Sequence, residues 1–87
     1  MISEEDLREI EKRCSNTQKG PWKAYIEGRD HTSGSNFIMT GDGEDRGEDI
    51  EMYGATLADF DFIANAKQDI PKLLDEIKRL KGSPVAL

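Results

Sequence analysis

The stretch Gly28-Arg29-Asp30-His31-Thr32-Ser33-Gly34-Ser35 brings together the chain's single histidine, an arginine, a carboxylate and three hydroxyls. Asp30, His31 and Ser33 or Ser35 are the residue types from which an orienting acid, a base and a nucleophile are made. Neighbouring side chains in a loop seldom converge on one reacting atom, and acyl-transfer chemistry also needs an oxyanion hole and a dry pocket. The sequence offers neither, so no catalytic residue is assigned. A metal site is poorer still, because one His and the lone Cys14 leave only carboxylate ligands. The acidic connection Asp42-Gly43-Glu44-Asp45-Arg46-Gly47 puts Asp42, Glu44 and Gly47 at positions 1, 3 and 6 of a calcium loop, but Arg46 at position 5 and Tyr53 at position 12, where oxygen ligands are required. Neither a metal nor a cofactor is expected.

Anion binding suits the loop better. Arg29 can fork onto a phosphate, the flanking glycines free the backbone, and His31, Thr32, Ser33 and Ser35 carry donors. The spacing matches neither a P-loop nor a dinucleotide fingerprint, and no helix start follows to add its dipole. A polar hairpin loop with internal Asp and Ser/Thr turns explains the same residues. Trp22, Tyr25 and Tyr53 are the aromatic candidates for stacking a flat ligand. By strand alternation Tyr25 and Tyr53 oppose Trp22 and Ile26, so helices covering the Trp22 face would leave Tyr25, Tyr53, Ile38 and Arg29 on an open sheet surface.

The elements that must position these residues are legible from pattern. Ser3 with Asp6 forms a capping box, with Ile2 and Leu7 at its staple positions, and Leu7, Ile10 and Cys14 recur at helical steps. Gly20-Pro21 breaks that helix. Period-two runs around Trp22-Ala24-Ile26, Phe37-Met39 and Ile50-Met52 predict antiparallel strands over 22–28, 36–41 and 48–54. Thr56 with Asp59 starts a helix that runs to about residue 67. Pro71 then predicts a break at 68–70, with Asp69 as a cap. Ile70, Leu73, Leu74, Ile77 and Leu80 form the apolar stripe of a last helix, ended by Gly82 and Pro84. The expectation is an α+β fold of order α-β-β-β-α-α: an N-terminal helix, a three-stranded antiparallel meander, and two C-terminal helices packed on one sheet face. Residues 1–87 read as a single small domain with an ordered core over about 3–82.

Twelve Lys plus Arg against eighteen Asp plus Glu leave a net charge of −6 on 87 residues, which repels nucleic-acid phosphates, so no duplex partner is expected. The chain shows no leader and no long apolar run, and it reads as a soluble cytoplasmic protein without a membrane partner. A core this small is marginal, which favours a homo-oligomer.

The order Gly20-Pro21-Trp22, GRDHTSG over 28–34, Arg46-Gly47-Glu48-Asp49-Ile50-Glu51, the Ala58-Asp59-Phe60-Asp61-Phe62-Ile63-Ala64-Asn65-Ala66 segment and Asp69-Ile70-Pro71 resembles a family of small uncharacterised bacterial and phage proteins, over roughly residues 4 to 80. The Gly-Pro-Trp and Phe-Ile-Ala then Asp-Ile-Pro segments are also similar to Ea22-like phage accessory proteins. The resemblance carries no reaction. It implies a non-enzymatic phage or prophage binding protein that sequesters an anionic nucleotide-type signal of a host defence system, or alternatively one that inhibits or regulates a host protein, for which the residues offer the acidic 42–51 segment. In the first case Arg29, His31, Thr32, Ser33 and Ser35 would hold the phosphate, and Trp22, Tyr25 or Tyr53 would stack the base.

Overall fold

A computed structural model describes residues 1–82, so the expected Pro84 stop lies outside the described residues. The order is α1 (Glu4–Ser15), β1 (Trp22–Tyr25), β2 (Phe37–Thr40), a short 3-10 turn (Gly43–Asp45) and α2 (Leu57–Gly82). The class is α+β, with a two-stranded antiparallel sheet and one long C-terminal helix. The chain divides into two compact units, one of residues 1–17 with the chain from Asp69 onward, the other Gln18–Gln68.

In the first unit α1 begins as its sequence predicts. Asp6 N–H donates to Ser3 Oγ and Ser3 N–H donates to Asp6 Oδ2, both at 3.0 Å, which satisfies two donors that a helix start leaves open. Leu7 of α1 and Leu74 of α2 are the buried side chains here. Glu11, Cys14 and Ser15 face Pro71, Leu74 and Asp75 across a small cleft. Lys78 pairs with Glu11 at 2.6 Å and Lys81 with Glu4 at 3.6 Å. Those side chains are 44% exposed or more, so the pairs orient the helices rather than supply much stability.

The second unit holds the sheet. Trp22↔Thr40, Lys23↔Met39, Ala24↔Ile38 and Tyr25↔Phe37 are its register pairs. Cross-strand partners share a face, so Ala24 and Ile38 point together into a core with Ile26, Phe60 and Ala64, flanked by Trp22, Ile50, Met52 and Ala55. Phe60 and Ala64 lie one helical turn apart on α2, and this part of the helix covers the Trp22 face of the sheet. The expected open surface of Tyr25, Tyr53, Ile38 and Arg29 is corrected: Tyr25 lies on the outer sheet face beside Phe37, Met39 and Lys23, whereas Ile38 is fully buried, Arg29 bonds to Asp61 of α2, and Tyr53, outside any strand, lines a groove with Phe60. Period-two spacing cannot tell the two faces apart when apolar residues occupy both, and the register decides.

Two further expectations are corrected. The third strand shrinks to a single bridge, in which Ile50 and Ile38 exchange both backbone hydrogen bonds at 2.9 and 2.8 Å. The next rung would pair Glu48 with Thr40, but Gly47 N–H takes the Thr40 carbonyl, and Gln18 Oε1 accepts from Glu48 N–H at 2.8 Å. Gln18 thus competes with the ladder for that donor. The break expected at 68–70 is absent, and α2 runs through Pro71 without interruption. Pro71 lacks the N–H that would bond the carbonyl of residue 67, a defect of about 3 kcal/mol in a free helix. Burial of Phe60 and Ala64 before it and of Leu74 after it holds helical geometry on both sides. The Thr56–Asp59 capping box at the start of α2 forms as expected, with bonds of 3.0 and 3.1 Å.

A two-stranded sheet has open edges, and here side chains close them. Because Ile38 turns its backbone groups toward Ile50, Ala24↔Ile38 is a non-bonded pair, and Trp22, Ala24 and Ile26 direct their backbone groups away from β2. The Gln68 amide meets Trp22 on that edge, accepting from its N–H at 2.7 Å and donating to its carbonyl at 3.3 Å. Asp30 Oδ2 accepts from Ile26 N–H at 2.8 Å. At the far end of β2, Gly41 has φ +70° and a Cβ there would sit 2.0 Å from the Asp45 carbonyl oxygen, so the tight turn into the 3-10 segment admits only glycine.

Replacing Gln68 with Ala leaves two part-buried backbone groups of Trp22 without their amide partner. Urea denaturation of Gln68→Ala is expected to show a loss of about 1–3 kcal/mol. A loss no larger than that of an exposed Lys72→Ala control would rule out the edge role.

Candidate functional site

The 28–35 loop is built from the inside. Gly28 N–H donates to the His31 carbonyl at 2.8 Å, while Arg29 and Asp30 N–H both donate to the Ile26 carbonyl. Asn36 Oδ1 accepts from Glu27 N–H at 2.7 Å, and Glu27 Oε1 accepts from Gly34 N–H at 2.6 Å. The polar side chains flanking the loop therefore serve its own backbone, as Asx-type turns do.

Arg29 is engaged by two carboxylates. Its Nη1 and Nη2 donate to Asp61 Oδ2 and Oδ1 at 2.9 and 3.0 Å, a two-bond fork, and its Nε donates to Asp30 Oδ2 at 2.9 Å. These bonds, with Asp61 the larger cause, raise the guanidinium above its ordinary value. Asp61 is lowered by the same Arg29 bond, whereas Asp30 is lowered first by the Ile26 N–H and then by Arg29. The cluster ties the loop to α2.

His31 packs on the outer sheet face, its ring edge-on to Phe37 at 5.1 Å between centroids, with Tyr25 at 6.2 Å. Its Nδ1 accepts from Ser33 N–H at 3.0 Å and lies 2.6 Å from Ser33 Oγ. Such an acceptor role places the proton of a neutral ring on Nε2, which is buried without a hydrogen-bond partner. The Ser33–His31 contact has the length of a nucleophile–base pair. An orienting acid, however, belongs on the opposite ring nitrogen, and the nearest carboxylate, Glu27 Oε1, is 3.8 Å from the same Nδ1. The contact works as a turn lock beneath an aromatic cluster.

The other sequence-derived candidates scatter. Thr32 is exposed on the loop. Trp22 donates its indole N–H to the Gln18 and Lys19 carbonyls at 3.1 and 3.2 Å, and Lys67 Nζ lies 5.6 Å from its ring. Tyr25 stacks on Phe37 at 5.5 Å and 15°, on the outer sheet face, with Lys23 Nζ 5.2 Å from its ring. Ser35 and Tyr53 alone come together at an open groove of about 470 Å³, lined also by Asn36, Glu51, Met52, Ala55 and Phe60. Tyr53 is fully exposed at the groove's lip, while Phe60 forms its buried floor. Glu51 is the one charged residue of that lining.

Sequence reasoning missed Asp61, Asn36, Met52 and Phe60 as site residues, and it included Glu51 only as part of the acidic 42–51 segment. Asp30 below Arg29 has a local signature, but Asp61 lies 32 residues away on a helix and carries no signal. Among the described residues no group of three or more His, Cys, Asp or Glu is placed to hold a metal, and no helix is long and apolar enough to cross a membrane. Comparison of the chain with protein-family models, curated proteins and solved structures finds no match.

The carboxylates of the Arg29 cluster are held below their ordinary values, so the stability they contribute is present above the unfolded carboxylate range and is lost as pH falls through their folded values. Thermal unfolding followed from roughly pH 6 to pH 2 should show stability declining with acid, as unfolded carboxylates take up protons near pH 4. Asp61→Asn should be less stable at pH 6 and decline less steeply. Parallel profiles for the two proteins would show that the pair contributes nothing.

Proposed function

We propose that this chain is a non-enzymatic binding module that takes a basic segment of a protein partner. The observation that carries the reading is the Tyr53 groove: an apolar floor of Met52, Ala55 and Phe60, a polar rim of Ser35 and Asn36, and a single charge, that of Glu51. A Lys or Arg side chain fits this chemistry, with its methylene stem on the floor, its head on the Glu51 carboxylate and the Tyr53 ring beside it. The segment that leads along the chain to Glu51 is acidic. Asp42, Glu44, Glu48 and Glu51 have no ion-pair partner among the described residues, whereas Arg46 is paired with Asp49 at 3.2 Å and Lys19 with Asp45 at 3.4 Å. A surface of one sign raises the encounter rate with a partner of the other and discriminates against like-charged ones.

Capture of a nucleotide-type anion by Arg29, His31, Thr32, Ser33 and Ser35 is supported less well. It would require Arg29 to exchange Asp61 and Asp30 for phosphate, whereas the groove needs no rearrangement. The phage or prophage setting, with a host protein as the partner, rests on the sequence resemblance.

Fluorescence anisotropy with a labelled Arg/Lys-rich peptide tests the reading against a panel of cyclic and linear nucleotides. The peptide should bind more weakly as salt rises, and Glu51→Gln and Tyr53→Ala should each weaken it about 3–10-fold. Binding that is indifferent to both substitutions, or a nucleotide retained in place of the peptide, would overturn it.

A further inference from the structure

In the C-terminal part of α2, α1 covers only one side of the helix. Leu74 is buried, and Lys78 and Lys81 pair with Glu11 and Glu4 on that side. The neighbouring side is apolar and uncovered among the described residues: Ile70 is 37% exposed, Leu73 61% and Leu80 66%, with Ile77 half-buried between them. Isolated surface leucines need no explanation, but a stripe of four on a charged helix of an acidic chain does.

The spacing of the stripe identifies an occupant. Ile70, Leu73, Ile77 and Leu80 fall at a, d, a and d of two heptads, with isoleucine at every a and leucine at every d, the combination that favours two parallel strands. The same steps continue back along the helix to Ala66 at d and Ile63 at a. The flanking charges agree. Asp69 and Glu76 occupy g, and Lys67 and Lys81 occupy e. In a parallel pair Glu76 of one chain meets Lys81 of the other, while an antiparallel pair sets e against e and g against g, lysine facing lysine and acid facing acid. The present partners of these two residues, Arg79 for Glu76 and Glu4 for Lys81, are exposed surface pairs that exchange at little cost. Two heptads alone would be too short to hold as an isolated coiled coil, but here each helix is already held by its packing on α1.

We infer that the Ile70–Leu80 stripe of α2 is a homodimer interface, in which two copies of this chain pair in parallel through a two-stranded coiled-coil seam. With α1 on an adjacent side of each α2, the pair forms a four-helix arrangement. The inference does not depend on the Tyr53 groove.

Sedimentation equilibrium of the full chain should report a particle of twice 9.8 kDa. Leu73→Glu combined with Leu80→Glu should raise the dissociation constant at least about 100-fold while leaving the far-UV circular dichroism unchanged. If that variant loses helix, charge exchange gives the second reading: Glu76→Lys weakens the dimer about 2–5-fold, and adding Lys81→Glu restores it. Orientation is read by oxidation in a Cys14→Ser background, where Ile70→Cys and Ile77→Cys should each form an interchain disulfide, because equivalent a positions face each other only in a parallel seam. A monomer at the highest soluble concentration, a dimer indifferent to the double substitution, or failure of both cysteines to cross-link would overturn the proposal.

Discussion

The sheet of this protein has only two strands, and a two-stranded ribbon is at best marginally stable in water. Most other features of the Gln18–Gln68 unit answer that constraint. Ile38 sits at its centre, fully buried, with Ala24 beside it in the register and its backbone bonded outward to Ile50. From that residue the burial spreads to Phe60 and Ala64 on α2, which supply the second layer that one face of the ribbon requires. The edges are closed by side chains instead of strands. Gln68 presents both halves of its amide to Trp22, Asp30 takes the Ile26 N–H, and Gln18 takes the Glu48 N–H. In each case a single polar residue satisfies backbone groups that would otherwise be available to another chain.

This economy bears on the polar loop. Arg29, His31 and Ser33 have the residue types of a binding or catalytic site, yet their contacts are largely structural. Arg29 joins Asp30 and Asp61, and Ser33 locks His31 against Phe37 and Tyr25. A small domain has few residues with which to hold the eleven-residue connection between β1 and β2, and charged and hydroxyl side chains are what can satisfy loop backbone away from a ladder. The groove at Tyr53 differs because its lining residues leave polar atoms and an aromatic ring facing solvent.

The helices show a related division. α2 carries more apolar surface than the elements beside it cover: Phe60, Ala64 and Leu74 are buried, while Phe62, Leu73 and Leu80 stay mostly exposed. Pro71 interrupts the hydrogen-bond ladder of this helix without ending it, since packing on both sides outweighs the missing bond.

Local chemistry was decided by the sequence alone. Both capping boxes, the stop of α1, the existence of the first two strands, expected over 22–28 and 36–41 and formed over 22–25 and 37–40, and the apolar stripe of α2 depend on groups a few residues apart, and their patterns carry the physical reason within them. The internal turns of the 28–35 loop were legible for the same reason. What only the tertiary structure decided involves distant partners: the parity of β2, which needs the Ala24↔Ile38 register; the loss of the third strand, which needs Gln18 at Glu48; the continuity through Pro71; and the engagement of Arg29 by Asp61. The candidate site divides along the same line. Ser35 and Tyr53 were visible as residue types, but their convergence with Glu51 above Phe60 was not, because periodicity records which residues share a face of one element and is silent on which elements meet.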